Sequence, residues 1–264
     1  MQHDRLNKNS IIQYLIDFLY SFLLPVIVIL TLWTTESHII GSPLILPTPQ
    51  AVFARLFASA LTTDFWMNLA VTTLRTVYAF FISLVLSVFL GTLAGFFRPF
   101  ERFLSLPLGI IKATPVVSFI LLAIFWFSTN TVSIFIGVLM TLPVMTGQIM
   151  SGIKNVDKKL IDMAHMYHFT GLQKVLHVYK PSVMPFFLAG CLNAFSLSWK
   201  VVVAAEVLSL PRTGVGTVLQ RSKMHIETVD VFAYTVAIIL MSFILEQVLA
   251  VLLGAKKSSN MGHA

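Results

Sequence analysis

Six long apolar runs constrain the fold of this chain more than any other feature. Each is long enough to cross the roughly 30 Å hydrocarbon core of a bilayer, which takes about 20 helical residues. Hydrophobic residues make up 57% of the 264 residues and charged residues only 11%, whereas soluble domains have about 25% charged residues. The sequence therefore predicts an all-α integral membrane protein with six transmembrane helices, and it excludes a water-soluble enzyme. The predicted spans are roughly 14–33, 66–96, 104–127, 132–152, 183–207 and 231–253.

Basic residues between these runs indicate how the chain crosses the membrane. If both termini lie in the cytoplasm, eleven lysines and arginines fall in cytoplasmic segments and four fall on the opposite side. Basic residues accumulate in short cytoplasmic loops, so this count favours that orientation. No small-residue cleavage site follows the first run, which identifies it as a retained span. We expect a multi-pass membrane protein, with one transmembrane domain over 14–253 and cytoplasmic tails at 1–13 and 254–264.

Several other classes of function are excluded by composition. The formal net charge is +7, but the basic residues are scattered in short gaps, whereas nucleic-acid binding needs them on one solvated face. A single cysteine, Cys191, excludes an intrachain disulfide and a multi-cysteine metal site. His165, His168 and His177 lie close together in the sequence, but metal ligation needs further ligands in fixed geometry. We predict no catalytic residue, no metal site and no nucleic-acid partner.

The connection over 34–65 is too long to be a simple turn. A proline-punctuated stretch precedes 50–60, where apolar residues recur at helical spacing. This pattern predicts either an amphipathic helix on the outer membrane face or an ordered loop with a helical turn.

A second long connection, 153–182, combines five lysines with enough apolar residues to form helices. Thr170 and Gly171 break it into two short helices, and Pro181 and Pro185 should prevent the second from continuing unchanged into the next span. We expect a compact cytoplasmic element that docks onto a partner.

This segment resembles the cytoplasmic signature of the permease subunits of binding-protein-dependent ABC importers. That signature reads E-A-A, three residues, G, nine residues and I-x-L-P. The chain keeps this spacing, with Ala164 and Pro181 identical and Asp162 and Val178 conservative, while Met163, His168 and Lys180 depart from it. We expect that histidine at 168 cannot reproduce the turn that glycine makes, and that Gly171 takes over part of that role.

Three further stretches look like the nitrate, sulfonate and taurine branch of that family. They are 41–49, 68–75 and 198–206. The resemblance covers about residues 20–253 and implies the type I, MetI-like permease fold, without specifying a solute.

The resemblance implies that the chain is the permease subunit of an ATP-driven importer of the bacterial inner membrane. Two copies of this fold, as a homodimer in membrane lipid, would work with two cytoplasmic ATP-binding cassette ATPase subunits and an extracytoplasmic substrate-binding protein. The chain would not be an enzyme and would need no cofactor, because it lacks the G-x-x-x-x-G-K-[ST] phosphate loop; ATP and Mg²⁺ would bind the ATPase. The residues expected to couple to the ATPase are Asp162, Met163, Ala164, Met166, Tyr167, His168, Phe169, Thr170, Gly171 and Pro181.

Ionisable residues inside the predicted spans are costly in a bilayer and usually face a cavity or a partner. Lys200 and Glu206 are six residues apart, about 240° around a helix, so we do not expect them to pair. Pro115 should interrupt its span and free backbone groups near Lys112. Snorkelling or structural hydrogen bonds between helices are the alternative roles. The residues predicted to line the translocation pathway are Arg75, Lys112, Thr114, Pro115, Lys200 and Glu206.

Embedded cations outnumber embedded acids even when Glu246 is included, which favours an anionic or polar solute. Sulfonate, taurine or nitrate-like solutes and a vitamin precursor all fit that description. The main alternative function is a secondary transporter or channel that works without an ATPase, and it would predict inverted halves with interrupted helices in matching positions. An intramembrane enzyme is a third alternative, and it would need a paired acid or a metal site within the spans.

Overall fold

The computed structural model describes residues 23–254, and within that range the regular structure is helical. Ten helices follow one another with short connections. They are α1 (Leu24–Ile40), α2 (Pro49–Ala60), α3 (Thr63–Phe96), α4 (Arg98–Ala113), α5 (Val116–Trp126), α6 (Thr129–Lys154), α7 (Lys158–Met166), α8 (Gly171–Ser209), α9 (Val215–Met224) and α10 (Thr228–Leu252).

Four helices of the described range, α3, α6, α8 and α10, are long and apolar enough to cross a membrane, and α4 with α5 makes a fifth if the bent pair is one span. These agree with the predicted all-α membrane protein. Helix α1 is a shorter apolar helix. It runs past the predicted end of the first span, whose beginning at 14–22 lies outside the described residues.

The third predicted span, 104–127, is interrupted at Pro115 as the sequence predicted, and its two halves belong to separate helices. Helices α4 and α5 meet at an angle of 101°. Pro115 has no backbone N–H and disfavours helical geometry at the residue before it, and Thr114 accordingly has φ −84° and ψ 133°. The result has the geometry of a broken span or of a re-entrant loop.

Residues 62–221 and 237–254 form one compact unit. Helices α3, α6 and α8 pack closely within it, and small residues permit the contact. A β carbon at Gly137 would lie only 2.7 Å from the β carbon of Ala79. The side chains buried at the centre of this packing are Phe80, Met145, Ile149, Ile153, Cys191, Ala194 and Phe195.

Residues 23–61 and 222–236 form the other unit. Helix α2 confirms the predicted helix over 50–60, and it begins with the Thr48 hydroxyl accepting a hydrogen bond from the Ala51 N–H. Arg55 on α2 pairs with Asp230 on α10, and its Nη2 donates to Oδ2 at 2.8 Å. This hydrogen bond raises the pKa of Arg55 above its ordinary value.

Candidate functional site

The 153–182 segment folds as two helical arms joined by a tight turn, and we call it the hairpin. Helix α7 starts where the Asp157 carboxylate accepts a hydrogen bond from the Lys159 N–H at 2.9 Å. Helix α8 starts with a capping box, in which the Thr170 N–H donates to the Gln173 side chain at 2.8 Å and the Gln173 N–H donates back to the Thr170 hydroxyl. The predicted break at Thr170 and Gly171 is therefore confirmed.

His168 makes the turn that ends α7. Its φ is +52°, in the left-handed region. The Phe169 N–H donates to the Ala164 carbonyl at 2.9 Å and the His168 N–H donates to the His165 carbonyl at 3.0 Å, which together form a Schellman motif. The expectation that histidine could not make this turn was wrong, and Gly171 does not replace it, because Gly171 is the first residue of α8.

Substitutions at His168 should alter the local stability of the hairpin. A left-handed conformation costs a non-glycine residue about 1–2 kcal/mol, and a β-branched side chain tolerates it worst. We expect His168→Val to speed backbone amide exchange across the hairpin and His168→Gly to slow it or leave it unchanged. Gly171→Ala is the matched control, since a β carbon there would contact nothing within 4 Å. Equal exchange in all three variants would show that the turn does not limit hairpin stability.

The two arms of the hairpin share a small core around Ala164. Ala164 is fully buried against Val156 and Val178, with Phe169 and Tyr179 packed on them. Ala164 therefore cannot contact a partner, and its predicted place on the docking surface was wrong. The signature alanine instead allows the arms to approach each other.

The tip of the hairpin presents large apolar side chains outward. Met166, Tyr167 and Leu172 are 79%, 70% and 69% exposed. Such a patch on a protein surface is typical of an interaction site. Of the other residues predicted to couple to the ATPase, Phe169 is partly exposed. The rest are exposed: Asp162, Met163, His168, Thr170, Gly171 and Pro181.

Helix α8 continues from the hairpin into a membrane span without a break. Its 39 residues include one π-helical stretch, Val175–Tyr179, where the Lys180 N–H donates to the Val175 carbonyl. Pro181 comes directly after Lys180. The helix is π-helical just before this proline and continues as an α-helix beyond it, so the proline does not end the helix. The second arm of the hairpin and the span that carries Lys200 and Glu206 are thus parts of one helix.

Glu206, near the far end of α8, is fully buried and pairs with Arg75 of α3. Arg75 Nη1 donates to Glu206 Oε1 at 2.6 Å, and the Thr72 hydroxyl donates to Oε2 at 2.9 Å. Arg75 Nη2 also donates to the Asn130 side chain at 3.0 Å. Arg75 and Glu206, two of the residues predicted to line the pathway, are therefore joined in a buried network that links α3, α6 and α8. Hydrogen bonding between helices is the alternative role that the sequence left open.

The same network fixes the loop that leads from α8 to α9. Arg75 Nη1 donates to the Thr213 carbonyl at 2.7 Å, and the Gly216 N–H donates to Glu206 Oε2 at 3.1 Å. Gly214 has φ +140°, and a β carbon there would lie 2.6 Å from the Glu206 carboxylate. Glycine is thus required where the backbone closes over this buried charge.

Sequence reasoning missed two polar residues that share a helix with Arg75 and belong to the same network. Asn68 accepts a hydrogen bond from the Gly214 N–H at 2.8 Å, and Thr72 accepts one from the Val215 N–H at 2.9 Å. Asn68, Thr72 and Arg75 follow the i, i+4, i+7 spacing of one helical face. That polar stripe on an apolar helix was the available signal.

The other predicted pathway residues lie apart from this network. Lys200 is exposed on α8 beside a groove of about 340 Å³ between α8 and α10, and it does not contact Glu206. Lys112, Thr114 and Pro115 surround the α4–α5 bend, where the Thr114 hydroxyl donates to the Ile110 carbonyl at 2.8 Å. The structure therefore separates the predicted set into three places.

Comparison with known proteins identifies the family. Residues 84–255 match the family described as the binding-protein-dependent transport system inner membrane component. The chain belongs to this family. It is 30% identical over 70% of its length to SsuC of Escherichia coli (strain K12), provisionally assigned as an aliphatic sulfonates transport permease protein, and covers 70% of that protein. It is 26% identical over 83% of its length to the taurine transport system permease protein TauC of the same organism, 82% of which is covered.

A solved structure agrees on the fold of this permease. The crystal structure of an amino acid ABC transporter with histidines superposes with a TM-score of 0.56 at 18% sequence identity, covering 77% of this chain and 93% of the other. The type I permease fold and the sulfonate and taurine branch predicted from the sequence are both confirmed.

The signature residues of the family correspond to the residues that form the turn of the hairpin. The signature glycine of these permeases corresponds to His168, the left-handed residue of the Schellman motif. The signature alanine Ala164 supplies the carbonyl that accepts the Phe169 N–H in that motif. The spacing of the signature is thus the spacing that this turn needs.

Proposed function

We propose that this permease forms the translocation pathway of an ATP-driven importer for a small anionic or zwitterionic organic solute, such as a sulfonate. Two ATP-binding cassette ATPase subunits would supply the energy, and an extracytoplasmic substrate-binding protein would deliver the solute. The observation that carries the proposal is that Leu172, at the exposed tip of the hairpin, and Lys200 belong to one continuous helix, α8.

The hairpin is the proposed contact with the ATPase. Its exposed apolar tip suits a groove on a partner protein, whereas an ordinary solvated loop would present polar side chains. Since the chain lacks a phosphate loop, ATP and Mg²⁺ would bind the partner, and closure of the ATPase pair would move α8. This arrangement requires the hairpin and both termini to lie in the cytoplasm.

A second copy of the chain would complete the pathway. Lys200 and the α4–α5 bend with Lys112, Thr114 and Pro115 are the candidates to face it, because they are partly or fully exposed on the single chain. Arg75 and Glu206 would instead hold the ends of the spans together, because both are buried and bonded to each other.

Purification of the permease from its native membranes tests this proposal. An ATP-binding cassette ATPase should co-purify, and the complex should import a sulfonate into liposomes only when ATP and a binding protein are present. Uptake driven by an ion gradient with the permease alone would instead support a secondary transporter. Cross-linking that detects only single copies of the permease in an active complex would contradict the homodimer.

A further inference from the structure

The groove between α8 and α10 contains two opposite charges that do not pair with each other. It has a volume of about 340 Å³ and is lined by Trp199 and Lys200 of α8 and by Ser242, Phe243 and Glu246 of α10, among others. Within residues 23–254, Lys200 has no carboxylate within 4.0 Å of its Nζ, and Glu246 has no cation within that distance. Charged side chains within membrane-spanning helices usually face a cavity or a partner, so this groove is a candidate site for a ligand.

Glu246 is held in place for such a role. The Ser196 hydroxyl donates to its Oε1 at 2.6 Å and the Ser242 hydroxyl donates to the same oxygen at 3.2 Å. Among the described residues nothing donates to Oε2, so this oxygen is available to a ligand in the groove. Two fixed hydroxyls therefore orient the carboxylate and leave one of its oxygens free.

The wall of the groove is rigid beside the lysine. Trp199 is 1% exposed, and its indole N–H donates to the Ile238 carbonyl at 3.3 Å. The ring is thereby fixed between α8 and α10, whereas Lys200 next to it has a flexible side chain with three donors. Small-molecule sites commonly combine an apolar wall with a few placed polar groups, and their volumes begin near 300 Å³.

We propose that this groove is a binding site for a small zwitterion that carries an oxyanion and an ammonium group a few bonds apart. Lys200 would hold the oxyanion and Glu246 the ammonium group, while Trp199 would pack against the short carbon chain between them. Two charge-assisted contacts would then neutralise both unpaired charges at once. The inference rests on the proposed function, because it specifies the class of solute that the pathway accepts.

Binding to the full-length permease, purified without an ATPase in phosphatidylglycerol nanodiscs, tests this site. Taurine serves as the zwitterion, and 2-hydroxyethanesulfonate serves as the matched anion without an ammonium group. Taurine should bind about tenfold more tightly than the hydroxy compound, since one charge-assisted contact is lost. Equal affinity for the two would overturn the zwitterion assignment.

The variants separate the two charges. Lys200→Met should weaken both ligands by about tenfold or more, whereas Glu246→Gln should weaken taurine by about tenfold and leave the hydroxy compound unchanged. Lys200→Arg keeps the cation and should retain binding, so it shows whether a loss in Lys200→Met comes from charge or from misfolding. Lys223→Met and Glu227→Gln are charge-matched controls outside the groove, and binding in these controls should equal that of the unchanged protein.

A phospholipid with an ethanolamine headgroup carries the same two charges. If the groove takes a free solute, taurine should bind in nanodiscs with or without phosphatidylethanolamine. Binding of phosphatidylethanolamine in the groove without any binding of taurine would overturn the solute assignment.

The site and the proposed function can fail separately. A permease that binds taurine through Lys200 and Glu246 but never imports with an ATPase would contradict the function and leave the site. ATP-driven import that is unchanged in both groove variants would contradict the site and leave the function.

Discussion

Arg75→Met should lower the free energy of unfolding of this permease by about 3–5 kcal/mol, the range for breaking a buried ion pair by removing one partner. Glu206 is fully buried, and the guanidinium of Arg75 is the cation bonded to its carboxylate. Without it the carboxylate keeps the Thr72 hydroxyl and the Gly216 N–H as donors, but its charge is uncompensated. The apparent melting temperature in detergent and the yield of monodisperse protein measure the effect.

The double variant Arg75→Met, Glu206→Gln separates loss of the pair from loss of packing. Replacing both charges removes the uncompensated carboxylate, so the double variant should be more stable than Arg75→Met alone. Arg75→Lys keeps a charge but loses the planar guanidinium that reaches both Glu206 and Asn130. Its stability should lie between those of Arg75→Met and the double variant. A single variant as stable as the unchanged protein would show that the pair contributes nothing to the fold.

The double variant Met166→Asp, Tyr167→Asp should weaken association with the ATPase by about thirtyfold while the permease stays folded. Both side chains are at least 70% exposed, and surface substitutions usually change stability by no more than about 0.5 kcal/mol. If these residues form the centre of the contact, their loss costs about 2 kcal/mol or more, which is roughly a thirtyfold weaker complex. Co-purification of the ATPase and ATP-driven uptake measure the loss, and the melting temperature checks the fold.

Met224→Asp is the matched control for this surface. Met224 is 65% exposed at the end of α9, which lies on the opposite side of the membrane in the proposed orientation. It should leave ATPase association unchanged. Full association of the hairpin variant, or an equal loss in the control, would contradict the assignment of the hairpin as the contact.

Local sequence patterns predicted most of the helices. Helix α2 begins where Thr48 and Pro49 supply a cap and a fixed φ, and its predicted range of 50–60 is nearly that of the structure. The ends of α3, α6 and α10 were predicted to within a few residues, because polar residues and turns flank the apolar runs. The angle between helices could not be predicted in this way. Pro115 indicated a break, but a bend of 101° between α4 and α5 depends on what each half packs against.

The site could be predicted only where its chemistry is local. The signature spacing located the hairpin, yet it could not distinguish the buried Ala164 from the exposed Met166, because both lie on one short helix. The pairing of Arg75 with Glu206 joins residues 131 positions apart. Neither residue carries information about the other in its own segment, so the partner becomes visible only once α3 and α8 are packed together.

In the proposed mechanism, the continuity of α8 determines how far a movement of the hairpin displaces the other end of the helix. A straight helix of 39 residues is about 58 Å long, so a tilt of about 10° at one end would displace the other by about 10 Å. The π-helical stretch at Val175–Tyr179 lies close to the hairpin end of this helix. Its wider turn is a point about which the rest of the helix could pivot. A small movement near the hairpin would thereby become a larger displacement at Glu206, and a second bend introduced mid-helix would absorb the movement before it reached the far side.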